Sequence, residues 1–210
     1  MNKQSVSRLS KYRAVILRFK ELGFRKTYSS VLADAVGASA EQVRKDFSVF
    51  GICGNKKGGY LVEDILQRLN TIFIKDKEHK VVIAGAGNIG KALMNFNGFK
   101  KDGMNIVACF DVDPAKTQKK YAGIPVFSPE DLHGFVHSNT IRVGIICVPE
   151  YAAQHTADLM VKAGIRGILN FAPIKLSVPQ ECVVNNVSLE QELENVIYFS
   201  SVAEKEGRIV

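Results

Sequence analysis

Apolar residues recur at helical spacing over roughly the first 75 positions and in short unbroken runs thereafter, and this change of grammar divides the chain. Leu9, Tyr12, Ala14, Val15, Ile16, Phe19 and Leu22 give one face of a helix over residues 4–22, which Gly23 stops. Ser29 and Ser30 cap a short helix carrying Leu32, Ala33 and Val36 and ended by Gly37, and Ser39 opens a third helix, AEQVRKDFSVF, ended by Gly51. The segment GICGNKKGGYLV holds four glycines within nine residues and predicts a small hairpin with a basic tip. Leu61, Ile65, Leu66, Leu69, Ile72 and Phe73 predict a further helix, and the charged KDKEHK stretch places a domain boundary near Asp76–Lys80.

Beyond that boundary, VVIAGAG, NIVACF, IPVF, IRVGIICV, RGILNF and ECVVNN read as short strands. Helical patterns separate most of them, among them NIGKALMNF, SPEDLHGFV and YAAQHTADLMVKAG. Alternation of this kind, with apolar rather than alternating strands, implies a parallel sheet covered on both faces. A last helical pattern, SLEQELENVIYFSSVAEKEG, comes after the sheet is complete and needs a partner surface, such as a second chain. The expected organisation is residues 1–78, then 79–187, then a terminal helix in 188–210.

Composition adds that a packed core is affordable: the 210 residues are 46% hydrophobic and 23% charged. No apolar run approaches the roughly 18 residues that span a bilayer, and MNKQSVSRLSKY lacks a signal peptide's apolar stretch, so a soluble cytoplasmic protein is expected. The net charge of +7 is unevenly placed. Residues 1–80 carry 16 Lys and Arg against 8 Asp and Glu, whereas residues 81–210 carry 12 against 13, so the polyanion-binding potential sits at one end. Cys53, Cys109, Cys147 and Cys182 show no CxxC spacing, which argues against zinc and disulfides and for small buried hydrophobes in a reducing compartment. Cys53, in a loop beside basic residues, stays open as a reactive thiol.

The second segment carries the sharpest motif. Gly85-Ala86-Gly87-Asn88-Ile89-Gly90 matches GxGxxG between a strand and a helix, which is the setting of the dinucleotide fingerprint in a doubly wound Rossmann sheet. Gly85 allows the tight turn, Gly87 the approach of a pyrophosphate, and Gly90 the contact of helix with strand, while the helix start offers free N–H groups. Asp111, 21 residues after Gly90, can accept from an adenosine ribose and repels a 2′-phosphate, favouring NAD over NADP; Asp113 competes for that role. Catalysis is not implied. His155 is the one histidine placed for it, its helical spacing more often marks an ordinary surface or satisfied histidine, and the nucleotide fold leaves no room for a substrate domain.

In the first segment, helix, turn, helix and basic hairpin describe a winged helix-turn-helix whose second short helix enters the DNA major groove. Gln42, Arg44, Lys45 and Ser48 are its polar residues, with Val43, Phe47 and either Val49 or Phe50 facing the core. Arg44 and Lys45 point about 100° apart, so one reads bases and the other holds phosphate. Asn55, Lys56 and Lys57 at the hairpin tip reach the neighbouring minor groove.

Together these residues resemble the Rex family of redox-sensing transcriptional repressors. The likeness rests on SRLSKY, SSVLADAVG, QVRKDFSVFG, GGY, VVIAGAGNIGKAL, FDVDPAK and AGIRGILNFAP, in that order along nearly the whole chain. It implies a homodimer of winged-helix and NAD(H)-binding Rossmann domains with exchanged C-terminal helices, in which NADH closes the dimer and releases operator DNA. It further implies that Arg44, Lys45 and Lys56 meet DNA. The dinucleotide is assigned to Gly85, Gly87, Asn88, Ile89, Gly90, Asp111 and Lys116. Val148, Pro149 and Asn170 line its nicotinamide side, and the partner's copy of Leu189 packs near it. Three positions depart from the family pattern: Ala14, Phe96 and Ser188 stand where an arginine, a tyrosine and an aspartate link cofactor state to the DNA heads. Lys57 and Gly58 also replace the family's glycine and valine. A DNA-binding relative with little redox response is the runner-up, and a small NAD-dependent dehydrogenase is the reading from another class.

Overall fold

Leu9, Tyr12 and Ile16 are wholly buried along one side of helix α1 (Lys3–Glu21), which is where their spacing puts them. In this computed structural model, which describes residues 3–55, 58–73 and 77–205, the chain divides into two units between Lys77 and Glu78. After α1, strand β1 (Lys26–Thr27) leads to α2 (Ser29–Val36) and α3 (Ala40–Val49). Strand β2 (Tyr60–Leu61) and α4 (Val62–Ile72) complete the first unit. Its core joins the α1 residues to Leu32, Val43, Phe47, Phe50, Ile65 and Leu69, and Phe47 meets the Tyr12 and Tyr60 rings edge-on at 5.4 and 5.0 Å. Phe50 faces inward and Val49 outward, which decides between the two.

Local chemistry differs from expectation in two places. Ser29 and Ser30 lie inside α2 rather than capping it; the flanking residue is Tyr28, and the Ser29 hydroxyl accepts from Arg44 instead, at 3.1 Å. Ser39 does cap α3, accepting from the Gln42 N–H at 3.1 Å. The expected hairpin is closed at its tip by reciprocal Asn55 and Gly59 backbone bonds of 2.9 and 3.0 Å. Its strand β2, however, pairs antiparallel with β1, from before α2, in the register Lys26 to Leu61 and Thr27 to Tyr60. Lys56 and Lys57 lie outside the described residues.

The second unit begins with β3 (His79–Ala84), α5 (Asn88–Met94), α6 (Asn97–Lys101) and β4 (Met104–Phe110). Next come β5 (Lys120–Tyr121), β6 (Ile124–Phe127), a 3-10 turn at Pro129–Asp131, α7 (Leu132–Ser138) and β7 (Val143–Ile146). Helix α8 (Glu150–Ala163), β8 (Gly167–Asn170), β9 (Val183–Asn186) and α9 (Leu189–Lys205) follow. The strand order is β5-β6-β4-β3-β7-β8-β9, parallel throughout except for β5, which is antiparallel to β6 at the edge. Without β5 this is the doubly wound dinucleotide-fold order. Period-two burial serves both faces: Val82 and Ala84 enter one core with Val136, Ala157 and Met160, while Val81 and Ile83 enter another with Met94 and Ile106. The short α6 and β5 carry too few residues for a period to register in sequence. Positive φ at Ala122 (50°) and Gly123 (81°) makes the two-residue turn that sends β5 back along β6.

One buried carboxylate ties the first unit together. Asp46 on α3 is 3% exposed; Arg8 of α1 donates to both its oxygens, at 2.7 and 2.8 Å, Tyr12 donates at 3.0 Å, and Gln42 at 2.9 Å. The Arg8 hydrogen bonds hold the Asp46 carboxyl below the usual carboxylate range against the opposing effect of burial, and burial together with Asp46 pushes the Tyr12 phenol up to about 12. Asp46→Asn is expected to cost about 3 kcal/mol, the low end for a broken buried pair, because Arg8 keeps part of its access to water. A depressed folded pKa gives stability that is complete above the unfolded value of about 3.9 and is lost as pH falls through the folded value. Thermal unfolding from pH 7 to pH 2 checks this: the gap between wild type and Asp46→Asn should shrink below about pH 4, and a constant gap contradicts the assignment.

Candidate functional site

Residues that build the first candidate surface come from the burial pattern of α3. Val43, Asp46, Phe47 and Phe50 turn inward, leaving Arg44, Lys45, Ser48 and Val49 exposed on the other side. Arg44 is steadied by the Ser29 hydroxyl of α2, so the two short helices share a polar contact at their crossing. Gln42 departs from expectation: its amide is drawn into the Asp46 network and the residue is half-buried, so it orients α3 and does not extend from it. Asn55 is exposed at the turn closed by Gly59. Arg8, Tyr12 and Asp46 were not assigned a role from the sequence. Their signal was an acid among apolar positions of one helix facing an i, i+4 Arg–Tyr pair on another.

The second surface lies at the carboxyl ends of β3 and β7, where the strand order reverses. Gly85 has φ +100°, and a Cβ there would stand 2.6 Å from the Cys147 carbonyl oxygen; only glycine lets the loops after β3 and β7 come this close. A Cβ on Gly90 would collide with the Gly85 carbonyl, so the first turn of α5 presses directly on the loop. Gly87 is different: it has an ordinary φ of −75° and open space around its Cβ position. Gly87, Asn88 and Ile89 are exposed while Gly85, Ala86 and Gly90 are buried, so the loop presents its middle to solvent with unpaired first-turn N–H groups behind it. The residues fit a diphosphate, since the cradle stands open at the one glycine where an approaching anion needs it.

Asp111, 7% exposed, closes the β4 side of the crevice. It accepts from the Ala86 N–H at 2.7 Å and the Asp113 N–H at 2.9 Å, and Lys116 lies 3.3 and 3.4 Å from its two oxygens. Burial favours the neutral acid, but the two backbone donors and Lys116 together outweigh it and hold the pKa below the usual range. A ribose hydroxyl would share this carboxylate with Lys116, whose bonds are the long ones. Asp113 is half-buried, caps the Ala115 N–H at 2.9 Å and pairs with Lys116 at 3.6 Å.

Val148 and Pro149 follow β7 at the crevice and lead into α8, Val148 half-buried and Pro149 exposed. Asn170 requires a correction. Its side chain is wholly buried, donating to the Ala172 and Ile174 carbonyls and to Asn186 and accepting from the Ala172 N–H, so it shapes the loop after β8 and cannot itself face a ligand. Burial pushes the Cys109 and Cys147 thiols up to about 12, which keeps both protonated at neutral pH, while Cys53 is exposed. His155 lines a separate cleft of about 440 Å³ with His133, Glu130 and Lys162, and that cleft shares no residue with the glycine loop. No helix among the described residues is long and apolar enough to cross a membrane.

A helix-turn-helix unit with a basic exposed helix, joined to a nucleotide-type sheet with an open glycine cradle, defines a DNA-binding regulator with a ligand domain. Known families agree: residues 2–48 match a putative DNA-binding protein N-terminus and residues 76–174 a CoA binding domain, whose ligand shares an adenosine diphosphate with the dinucleotides. The redox-sensing transcriptional repressor Rex of Desulforamulus reducens is 39% identical over 201 residues, 96% of each chain. The crystal structure of RSP, a Rex-family repressor, in complex with β-NAD+ and operator DNA superposes with a TM-score of 0.90 at 34% identity, covering 98% of this chain and 94% of that one. RSP in complex with β-NADH gives 0.88 at 34% identity, covering 98% and 96%. The chain belongs to the Rex family of redox-sensing transcriptional repressors, and these relatives are named as repressors rather than enzymes.

The two glycines make opposite predictions. Gly90→Ala should destabilise the second unit by roughly 1–3 kcal/mol through overpacking, whereas Gly87→Ala should melt within about 2 °C of wild type. Calorimetric melting distinguishes them, and equal losses would mean that the open cradle at Gly87 is misplaced.

Proposed function

We propose that the protein represses transcription by binding double-stranded operator DNA as a homodimer in the cytoplasm, with NADH and NAD+ altering its grip through dimer closure. The observation that carries the reading is one chain holding both the exposed Arg44–Lys45 face of α3 and the open glycine cradle, in a family whose member RSP has been solved with β-NAD+ and operator DNA and with β-NADH. In this reading α3 lies in the major groove, where one of Arg44 and Lys45 reads base edges and the other holds phosphate, with Ser48 beside them. Asn55, Lys56 and Lys57 serve the adjacent minor groove, and Gln42 acts from behind by orienting α3 through Asp46.

Gly85 and Gly90 shape the loop, and Gly87, Asn88 and Ile89 receive the diphosphate on their N–H groups. Asp111 and Lys116 hold the adenosine ribose, and the Asp111 charge disfavours a 2′-phosphate. Val148 and Pro149 border the nicotinamide, with Asn170 holding the neighbouring loop in shape. When bound, the nicotinamide supplies a signal rather than a reaction, since its oxidised ring is cationic and its reduced ring neutral. Helix α9 carries Leu189, Leu193, Val196, Ile197, Tyr198 and Phe199 exposed, an apolar stripe that a second copy exchanging the same helix covers. Coupling then requires the open and closed dimers to differ in cofactor affinity, and DNA to change that affinity reciprocally.

A second reading, a repressor with a weak redox response, is favoured by three positions. Ala14 is exposed without a polar group, the Phe96 ring packs edge-on against Phe99 at 5.0 Å, and the Ser188 hydroxyl accepts from the Gln191 N–H at the start of α9. The two readings part in an operator titration with NADH, with NAD+ and with neither. Weakening by NADH alone supports the sensor, and three coincident curves support the second reading. In the same assay Lys45→Ala should cost about 1–3 kcal/mol of operator affinity, and unchanged binding would remove α3 from the interface. Gly87→Ala should lose at least about tenfold in NADH affinity by titration calorimetry, one unfavourable 1.4 kcal/mol contact, while binding DNA as the wild type does.

A further inference from the structure

We propose that Val49 is a base-reading residue that recognises the C5-methyl group of a thymine; the inference rests on the DNA reading of α3 and extends it to the identity of a base. Helix α3 buries Val43, Asp46, Phe47 and Phe50, so the complementary side carries Arg44, Lys45, Ser48 and Val49. Val49 is the apolar member of that side and is 70% exposed. Its exposure does nothing for folding: the core position at this end of the helix is taken by Phe50, and a β-branched residue is a weaker helix former than most alternatives. An apolar side chain held out beside two cations gains free energy only when something apolar covers it.

Major-groove edges offer hydrogen-bonding groups at every base pair and one apolar group, the thymine methyl. Val49 follows Lys45 by one helical turn on the same side, a displacement of about 6 Å along the axis, which is less than two base-pair steps of about 3.4 Å each. A base contact by Lys45 therefore brings Val49 over the next step or the one after it. The Asp46 network fixes the rotation of α3 against α1, so the Val49 methyl groups are presented in one orientation with the basic pair.

The test first selects an operator from random DNA with the full-length protein, then replaces each thymine in turn by deoxyuridine, which removes the methyl and leaves the hydrogen-bonding edge unchanged. One position in each recognised half should weaken wild-type binding about fourfold, the worth of one buried methyl-sized group. Val49→Ala should bind the thymine and uracil operators alike at that position, with an unchanged melting temperature. If Val49→Ala melts early, Val49→Thr carries the same comparison, with a reduced uracil penalty expected. A uracil penalty that keeps its full wild-type size in the variant compared, or a wild type indifferent to every replacement, overturns the inference while leaving operator binding intact. Failure to enrich any sequence instead overturns the repressor reading, and this inference with it.

Discussion

A carboxylate buried in a protein interior must find donors, and each unit of this chain is organised around one that does. Asp46 and Asp111 are the buried acids among the described residues, and both are held below the usual carboxylate range by the groups they gather. Asp46 collects Arg8, Tyr12 and Gln42, which locks α3 onto α1 and sets which side of α3 looks outward. Asp111 collects the Ala86 and Asp113 N–H groups and Lys116, which locks the glycine loop to the end of β4. The exposed basic side of α3 and the glycine cradle, to which the proposal assigns DNA and dinucleotide, are thus each steadied by a buried carboxylate.

Steric closeness is the second constraint. At the switch point the loops after β3 and β7 approach so nearly that a methyl at Gly85 would stand 2.6 Å from a carbonyl oxygen. The crevice is therefore narrow by construction and opens at Gly87. Asn170 performs a comparable service on the far side, spending every hydrogen-bonding group of its amide on the loop after β8 and on Asn186. Rigidity of this kind suits a sensor, because a ligand that meets a preformed loop can put its binding energy into a difference between two states of an assembly.

The departures at Ala14, Phe96 and Ser188 acquire local explanations without a polar network. Phe96 packs against Phe99 and over the backbone of Gly98, and Ser188 caps α9 as an aspartate would. Ala14 lies exposed on α1, whose other side is committed to the core by Tyr12 and Ile16. The fold accommodates all three residues through local contacts or exposure.

Helical periodicity revealed most helices and short apolar runs every parallel strand, because both patterns follow from the faces that elements pack together. GxGxxG, read between a strand and a helix, revealed the crevice, because Gly85 and Gly90 leave no room for a Cβ and Gly87 leaves the loop open between them. The five-residue α6 and the two-residue β5 escaped because each is too short to repeat its period. The pairing of β2 with β1, the diversion of Gln42 and Ser29 from their expected tasks, and the burial of Asn170 also escaped. Each of these depends on which groups meet across the chain, as Thr27 meets Tyr60, Ser29 meets Arg44, Asn170 meets Asn186, and Arg8 meets the Asp46 that draws in Gln42. Sequence by itself determined the class of fold, the location of the basic helix and the place of the nucleotide loop, since those follow from local spacing and side-chain chemistry. Tertiary structure decided which residues of α3 face outward and which polar groups are already spoken for, since a hydrogen bond between residues far apart in the chain leaves no trace in the spacing of either one.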